Sequence, residues 1–163
     1  MNEILEKISS YNLFNYLMPG VLFLVIVESS TNYSLMNDNI VLTAFIAYFV
    51  GLIISRVGSL VVEKVLRKTN FLKFKSYKDF VAASQKDPKL EVLSEQNNSY
   101  RTIIAMLIMA GVTKAYGWLA SKVVFFDEWK LGIVSTLILI MFLFAYKKQT
   151  KYISDRIEKN LNQ

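Results

Sequence analysis

Four long apolar segments, separated by polar or charged stretches, constrain this chain more than any other feature. The segments cover about residues 13–28, 40–57, 102–120 and 131–146. A membrane's hydrocarbon core is roughly 30 Å thick, so a helix that crosses it needs about 20 mostly apolar residues. The sequence therefore predicts an all-α, polytopic membrane protein whose four transmembrane helices form a single membrane domain over residues 1–163.

Lysine and arginine are distributed unequally among the connections. The stretch 29–39 has none, five lie in the tail, and ten lie between the second and third segments: Arg56, Lys64, Arg67, Lys68, Lys73, Lys75, Lys78, Lys86, Lys89 and Arg101. Cytoplasmic loops of membrane proteins are enriched in these residues. Abundant Lys, Asn and Ile indicate a low-GC bacterial genome. We therefore expect a bacterial inner-membrane protein with both termini and the insertion of about 66–100 in the cytoplasm.

The insertion contains two helix-start signals. Ser76 followed by Asp79 is a capping-box pattern. Asp87-Pro88 places a cap before a proline at the first helical position. Together they predict a short helical hairpin that is too small to hold its own core, so it must pack on the membrane helices, on its copies or on a partner.

Both ends of the chain have the pattern of amphipathic helices. The tail places Ile153, Ile157 and Leu161 at four-residue spacing, and the N-terminal arm groups Ile4, Leu5 and Ile8. Such a stripe favours a helix that lies along the inner leaflet or one that packs against another subunit.

Small residues recur on one face of the second segment and in the third. This pattern lets helix backbones approach closely, either within one subunit or between subunits. We predict that these residues form helix-packing contacts and that the protein is a homo-oligomer: Ala44, Ala47, Gly51, Ser55, Gly58, Gly111 and Ala115.

Three polar residues interrupt the apolar segments. Asn15 lies near the inner end of the first segment and can hydrogen-bond a neighbouring helix. Lys114 lies either at mid-membrane or close enough to the outer surface to extend its ammonium there. Glu28 ends the first segment on the same side, so we predict an intramembrane Lys114–Glu28 ion pair. Pro19 before Gly20 predicts a bend or a helix start.

The stretch 71–80 alternates aromatic and basic side chains. Rings next to lysines are typical of an interface where the rings lie among lipid headgroups and the lysines contact anionic lipid. A surface for a nucleotide or nucleic acid is the alternative, and direct nucleic-acid binding is not expected. The candidate lipid or partner contacts are Phe71, Lys73, Phe74, Lys75, Tyr77 and Lys78.

The chain lacks the residues on which most catalytic sites depend. It has no cysteine and no histidine, and it contains no glycine-rich phosphate loop, no nucleophile with a base and no metal-ligand set. We therefore expect neither an enzyme nor a cofactor.

Two function classes remain. The first is an oligomeric effector that forms a pore or perturbs the membrane, with Asn15 and Lys114 lining the conduit. The second is a membrane anchor or sensor that docks a soluble partner, for which Lys73, Lys75 and Lys78 are the important residues.

The opening "SSYNLFNYLMPGVLF", the size, the four spans and the basic loop resemble those of small four-helix membrane proteins of bacterial anti-phage systems. Examples are the Kiwa membrane subunit and the membrane accessory proteins of type VI-B CRISPR loci. The resemblance implies an antiviral-defence protein of the inner membrane that works with a soluble, nucleic-acid-handling partner. It assigns no functional residue.

Overall fold

The computed structural model describes residues 12–161, and every regular element in this part of the chain is a helix. The six helices are α1 (Leu13–Ser30), α2 (Ile40–Lys68), α3 (Tyr77–Lys86), α4 (Lys89–Ala120), α5 (Val124–Glu128) and α6 (Lys130–Leu161). The predicted N-terminal amphipathic arm lies outside the described residues.

Four of these helices are long and apolar enough to cross a membrane: α1, α2, α4 and α6. They run alternately up and down, so their connections meet at two ends. We call the end that holds residues 69–76 and α3 the basic end, and the end that holds residues 31–39 and α5 the loop end. This arrangement agrees with the predicted all-helical class.

The core lies between α1, α2 and α4. Its largest fully buried apolar side chains are Leu24, Val27 and Ile54, and Ala105 and Met106 of α4 complete it. In contrast, no residue in the apolar stretch of α6 is buried. Its ring contact with α2 is a stack of Phe142 on Phe49, which is 51% exposed, with the ring centroids 6.3 Å apart. The fourth helix therefore lies at the edge of a three-helix core.

The first helix begins with a wide turn that proline explains. Leu13–Leu17 is a π-helical turn, closed by the Met18 N–H that donates to the carbonyl oxygen of Leu13. Pro19 follows and has no N–H to donate to Asn15, its ordinary α-helical acceptor. The backbone absorbs this missing bond by widening one turn, after which α1 continues as a regular helix to Ser30.

The predicted hairpin is present in a longer form than the sequence suggested. Ser76 Oγ accepts from the Asp79 N–H at 3.1 Å and caps α3. Asp87 Oδ1 accepts from the Lys89 N–H at 3.0 Å, but the helix that starts there continues unbroken to Ala120. The second arm of the hairpin is therefore the first part of α4, the third of the four long apolar helices. In the same way, the amphipathic tail continues α6 and is not a separate helix.

Candidate functional site

A cluster of charged side chains joins three of the long helices at the basic end. The Arg101 Nη1 atom of α4 donates to Glu63 Oε2 of α2 at 2.7 Å, and Lys148 Nζ of α6 lies 3.7 Å from Glu63 Oε1. The Glu63 side chain is only 13% exposed. We call Ser59, Glu63, Arg101 and Lys148 the basic-end cluster. Because its members come from different helices, it fixes how those helices are placed against one another.

A second π-helical turn, Gly58–Val62, positions Ser59 in this cluster. The Glu63 N–H donates to the carbonyl oxygen of Gly58, five residues back, instead of to that of Ser59. The Ser59 carbonyl accepts from Lys148 Nζ at 3.0 Å, and the Ser59 hydroxyl oxygen accepts from the same ammonium at 2.7 Å. Isolated π-helical turns often mark functional positions in helices, and this one supplies two acceptors to a cation.

The cluster has more positive than negative charge. Arg67 Nη1 also lies 3.8 Å from Glu63 Oε1, so one carboxylate faces three cations. Lys148 lies beyond the apolar stretch that ends at residue 146, and burial lowers the pKa of its ammonium, an effect that Glu63 opposes. Arg101 Nε is buried without an acceptor among the described residues. This end of the bundle therefore favours negatively charged ligands or partners.

Helix α3 is attached to the tail of α6. The rings of Tyr77 and Tyr152 stack with their centroids 4.6 Å apart and an interplanar angle of 16°. Lys78 Nζ donates to Glu158 Oε2 at 2.8 Å, and this hydrogen bond raises the pKa of Lys78. Lys148 Nζ also lies 5.6 Å from the centroid of the Tyr152 ring. The hairpin and the basic-end cluster are thus parts of one connected arrangement.

The predicted aromatic and basic residues of the insertion divide into two groups. Tyr77 and Lys78 contact the chain's own tail, and the Arg67 guanidinium lies 5.3 Å from the centroid of the Phe74 ring. The others are exposed, with Phe71 at 76%, and they leave a free basic and aromatic surface: Phe71, Lys73 and Lys75.

A buried polar trio lies beside the core near the basic end. Asn15 Nδ2 donates to Ser55 Oγ at 3.3 Å, and Thr102 Oγ1 donates to Asn15 Oδ1 at 2.9 Å. Asn15 and Thr102 are 0% exposed. The structure therefore brings together Asn15 and Ser55, which the sequence assigned to different roles. The Thr102 hydroxyl also lies 2.8 Å from the Asn98 carbonyl oxygen. All three side chains are buried, so they do not face an open path through this chain.

The small residues of α2 make the closest helix contact in the bundle. A Cβ atom on Gly51 would overlap the carbonyl oxygen of Tyr16, and one on Gly20 would overlap that of Ala47. Ala47, Gly51, Ser55 and Gly58 are all buried. The remaining predicted packing residues are exposed: Ala44, Gly111 and Ala115. A Cβ atom added to Gly111 would meet nothing within 4 Å. Among the described residues, Gly111 therefore has room for a neighbouring helix.

The predicted Lys114–Glu28 ion pair is not formed. Glu28 Oε1 accepts from the Ser34 hydroxyl at 3.2 Å, and Glu28 Oε2 accepts from the Met36 N–H at 3.4 Å. The carboxylate therefore stabilises the turn into the loop 31–39, which helical periodicity alone could not predict. Lys114 is exposed and lines a groove of about 650 Å³ at the loop end.

Sequence reasoning missed most of the basic-end cluster. Arg101 and Lys148 were counted only as positive charges outside the apolar segments, and Glu63 was not considered at all. One local signal was present, since Glu63 and Arg67 have the four-residue spacing of a helical ion pair. Glu63 precedes Arg101 by 38 residues and Lys148 by 85 residues in the sequence. No pattern in a single sequence predicts contacts between residues so far apart.

Within the described residues, no group of three or more carboxylate, imidazole or thiol side chains is placed to hold a metal ion. Comparisons with protein-family models, with curated proteins and with solved structures each find no match to this chain.

Proposed function

We propose that this protein is an inner-membrane anchor or sensor that docks a soluble partner at its basic end. In this proposal the basic end and both termini face the cytoplasm of a bacterium, in accord with ten Lys and Arg in the stretch 56–101 and none in 29–39.

One observation favours an anchor over the other function classes. The insertion is held in place by the Tyr77–Tyr152 stack and the Lys78–Glu158 ion pair, while Phe71, Lys73 and Lys75 stay exposed beside it. A basic and aromatic surface on a fixed support suits a docking role because little conformational entropy is lost when a partner binds. An acidic surface on the partner would complement it.

The same contacts provide a route from the docking surface to the membrane. A partner that displaces α3 would pull on the tail of α6, because Tyr77 and Lys78 contact that tail. The tail is in turn bound to α2 through Lys148 and Ser59. Docking would therefore change how α6 packs on the core, which is the behaviour of a sensor.

Co-expression with the neighbouring genes tests this proposal. We expect a soluble protein encoded alongside, which the resemblance to anti-phage systems suggests is nucleic-acid-handling, to co-purify with the tagged full-length chain. Lys73→Glu and Lys75→Glu should each reduce recovery about tenfold or more, since charge reversal at an interface costs several kcal/mol. Lys122→Glu at the loop end is the matched control and should have no effect. Equal recovery with all three variants would contradict the proposal.

A pore formed by several copies is the second candidate. It is favoured by the exposed Gly111 and Ala115 of α4, which leave room for a neighbouring helix, and by the absence of buried residues in the apolar stretch of α6. Inducible expression with a membrane-potential dye separates the two candidates. The anchor predicts no depolarisation by this protein alone, whereas the pore predicts depolarisation that a bulky Gly111→Leu substitution abolishes.

A further inference from the structure

The groove at the loop end is a site that neither proposed function uses. Its volume is about 650 Å³, and it is open on one side. The end of α1 and the loop that follows form one wall, the last turns of α4 form the other, and Asp127 of α5 lies at the rim. The Tyr33 ring packs against Gly117, and a Cβ atom added to that glycine would lie 3.5 Å from the ring.

Lys114 is the only cation that lines this groove among the described residues, and it lacks a counter-ion there. Glu28, its expected partner, is engaged by Ser34 and Met36. Asp127 pairs with Lys130 at 3.1 Å. The part of the chain that the structure describes therefore offers Lys114 no ion pair and no hydrogen bond.

The depth of Lys114 makes an unpaired charge costly. It lies six residues before the end of α4 at Ala120, which is about 9 Å of helical rise. An unpaired lysine at this depth in a membrane extends toward the headgroup layer, where phosphate groups are the nearest anions. Trp118, which is 67% exposed, lines the same groove and is the residue type that prefers this layer.

Lys114 is the one charged donor in the groove among the described residues, beside the neutral donors Asn32, Tyr33 and Trp118. The Ser30, Thr31 and Ser121 hydroxyls donate to the carbonyl oxygens of Ile26, Val27 and Trp118. Their protons are therefore used within the chain. A ligand in the groove must bring one negative charge for Lys114 and apolar surface for the Trp118 ring.

From these observations we propose that the loop-end groove binds a membrane phospholipid, with the headgroup phosphate on Lys114 and an acyl chain beside Trp118. The headgroup supplies the counter-ion that the chain itself lacks, and the acyl chain covers the exposed ring. This site lies at the opposite end of the bundle from the docking surface, so its test is independent of the proposed function.

Tryptophan quenching in mixed micelles tests the proposal. The full chain with Trp129→Phe retains Trp118 as its one tryptophan, because the sequence has two. Phosphatidylglycerol with brominated acyl chains should quench Trp118 emission saturably. Brominated diacylglycerol, which lacks the phosphate, should bind about tenfold more weakly, as expected for loss of a charge-assisted hydrogen bond. Equal quenching by the two lipids would overturn the proposal. This measurement does not require a substitution of Lys114.

Variants of Lys114 provide a second measurement. Lys114→Gln should weaken the phospholipid's apparent affinity about tenfold, and Lys114→Arg should retain it within about threefold, because the charge is kept. Lys122→Gln, an exposed lysine at the same end, should leave it unchanged. Unchanged affinity in a folded Lys114→Gln protein would overturn the assignment. So would displacement of the lipid by inorganic phosphate at equal concentration, because the site would then recognise free phosphate.

Discussion

Lys148 Nζ donates to both oxygens of Ser59, to the hydroxyl at 2.7 Å and to the carbonyl at 3.0 Å. These bonds join the edge helix α6 to α2 at the point where α2 widens into a π-helical turn. A serine and a lysine that flank different apolar segments thus form the main polar connection between the fourth helix and the core.

Replacing Lys148 should weaken this connection. Lys148→Met removes both bonds to Ser59 and leaves Glu63 with one close cation fewer, so we expect the free energy of unfolding in micelles to fall by about 1–3 kcal/mol. The exposed neighbour Lys147 provides the control, since Lys147→Met should change stability by less than about 0.5 kcal/mol. Similar values for the two variants would show that the Ser59 contacts contribute little.

Gly51 of α2 and Gly111 of α4 should respond differently to substitution by alanine. Gly51→Ala places a methyl group against the Tyr16 carbonyl, and we expect it to destabilise the bundle by about 1–3 kcal/mol or more. Gly111→Ala meets nothing within 4 Å and should be neutral or stabilise α4 by about 0.5–1 kcal/mol. Thermal and chemical unfolding in one detergent measure both. A larger loss at Gly111 would indicate that copies of the chain pack there.

The buried trio should behave as a coupled unit. A double-mutant cycle with Asn15→Ala and Thr102→Val should give a coupling energy of about 0.6 kcal/mol, and at most about 1.7, the range found for hydrogen bonds between membrane helices. Neither single variant should alter ion flux in vesicles, because Asn15 is buried and faces Ser55 and Thr102. A changed flux would support the pore instead.

Docking of α3 on the tail should depend on Lys78. The hydrogen bond that Lys78 donates to Glu158 raises the pKa of Lys78, so the protonated lysine favours the docked state. That contribution is fully present below the pKa of the undocked lysine and is lost as the pH rises through the higher, docked value. At neutral pH, Lys78→Gln should speed amide hydrogen exchange over residues 77–86, whereas Lys86→Gln, also exposed, should not.

Glu28 and Lys114 should be energetically independent. The stabilities of Glu28→Gln, Lys114→Gln and the double variant should add within about 0.3–0.5 kcal/mol, as for residues without shared partners. Glu28→Gln should mainly loosen the loop 31–39, through its contacts with Ser34 and Met36. A coupling energy above about 1 kcal/mol would restore the ion pair that the sequence suggested.

Sequence patterns were sufficient for features that depend on neighbours along the chain. Apolar length predicted the four long helices, and the Ser76–Asp79 spacing predicted the start of α3. Each of these depends on contacts within a few residues, or on composition alone, so one sequence contains the needed information.

Contacts between distant residues could not be predicted in this way. Periodicity placed Ala44, Ala47 and Gly51 together, yet Ala44 is exposed whereas Ala47 and Gly51 are buried against α1. Glu28 and Lys114 were matched by depth, but depth does not fix the angle at which each side chain leaves its helix. The basic-end cluster depends on which of several possible helices lies beside α2, and three-dimensional packing alone decides that.

The π-helical turn Gly58–Val62 also sets the angular phase of everything that follows it in α2. One residue of an α-helix corresponds to about 100° of rotation. If the same residues continued as a regular α-helix through this turn, Glu63 and Arg67 would be rotated by about 100° relative to the buried stripe, because the wide turn takes up one residue more than an α-helical turn does. The charged half of α2 would then face away from α4 and α6, so a local change in backbone geometry that alters no hydropathy profile would separate the basic-end cluster from the core.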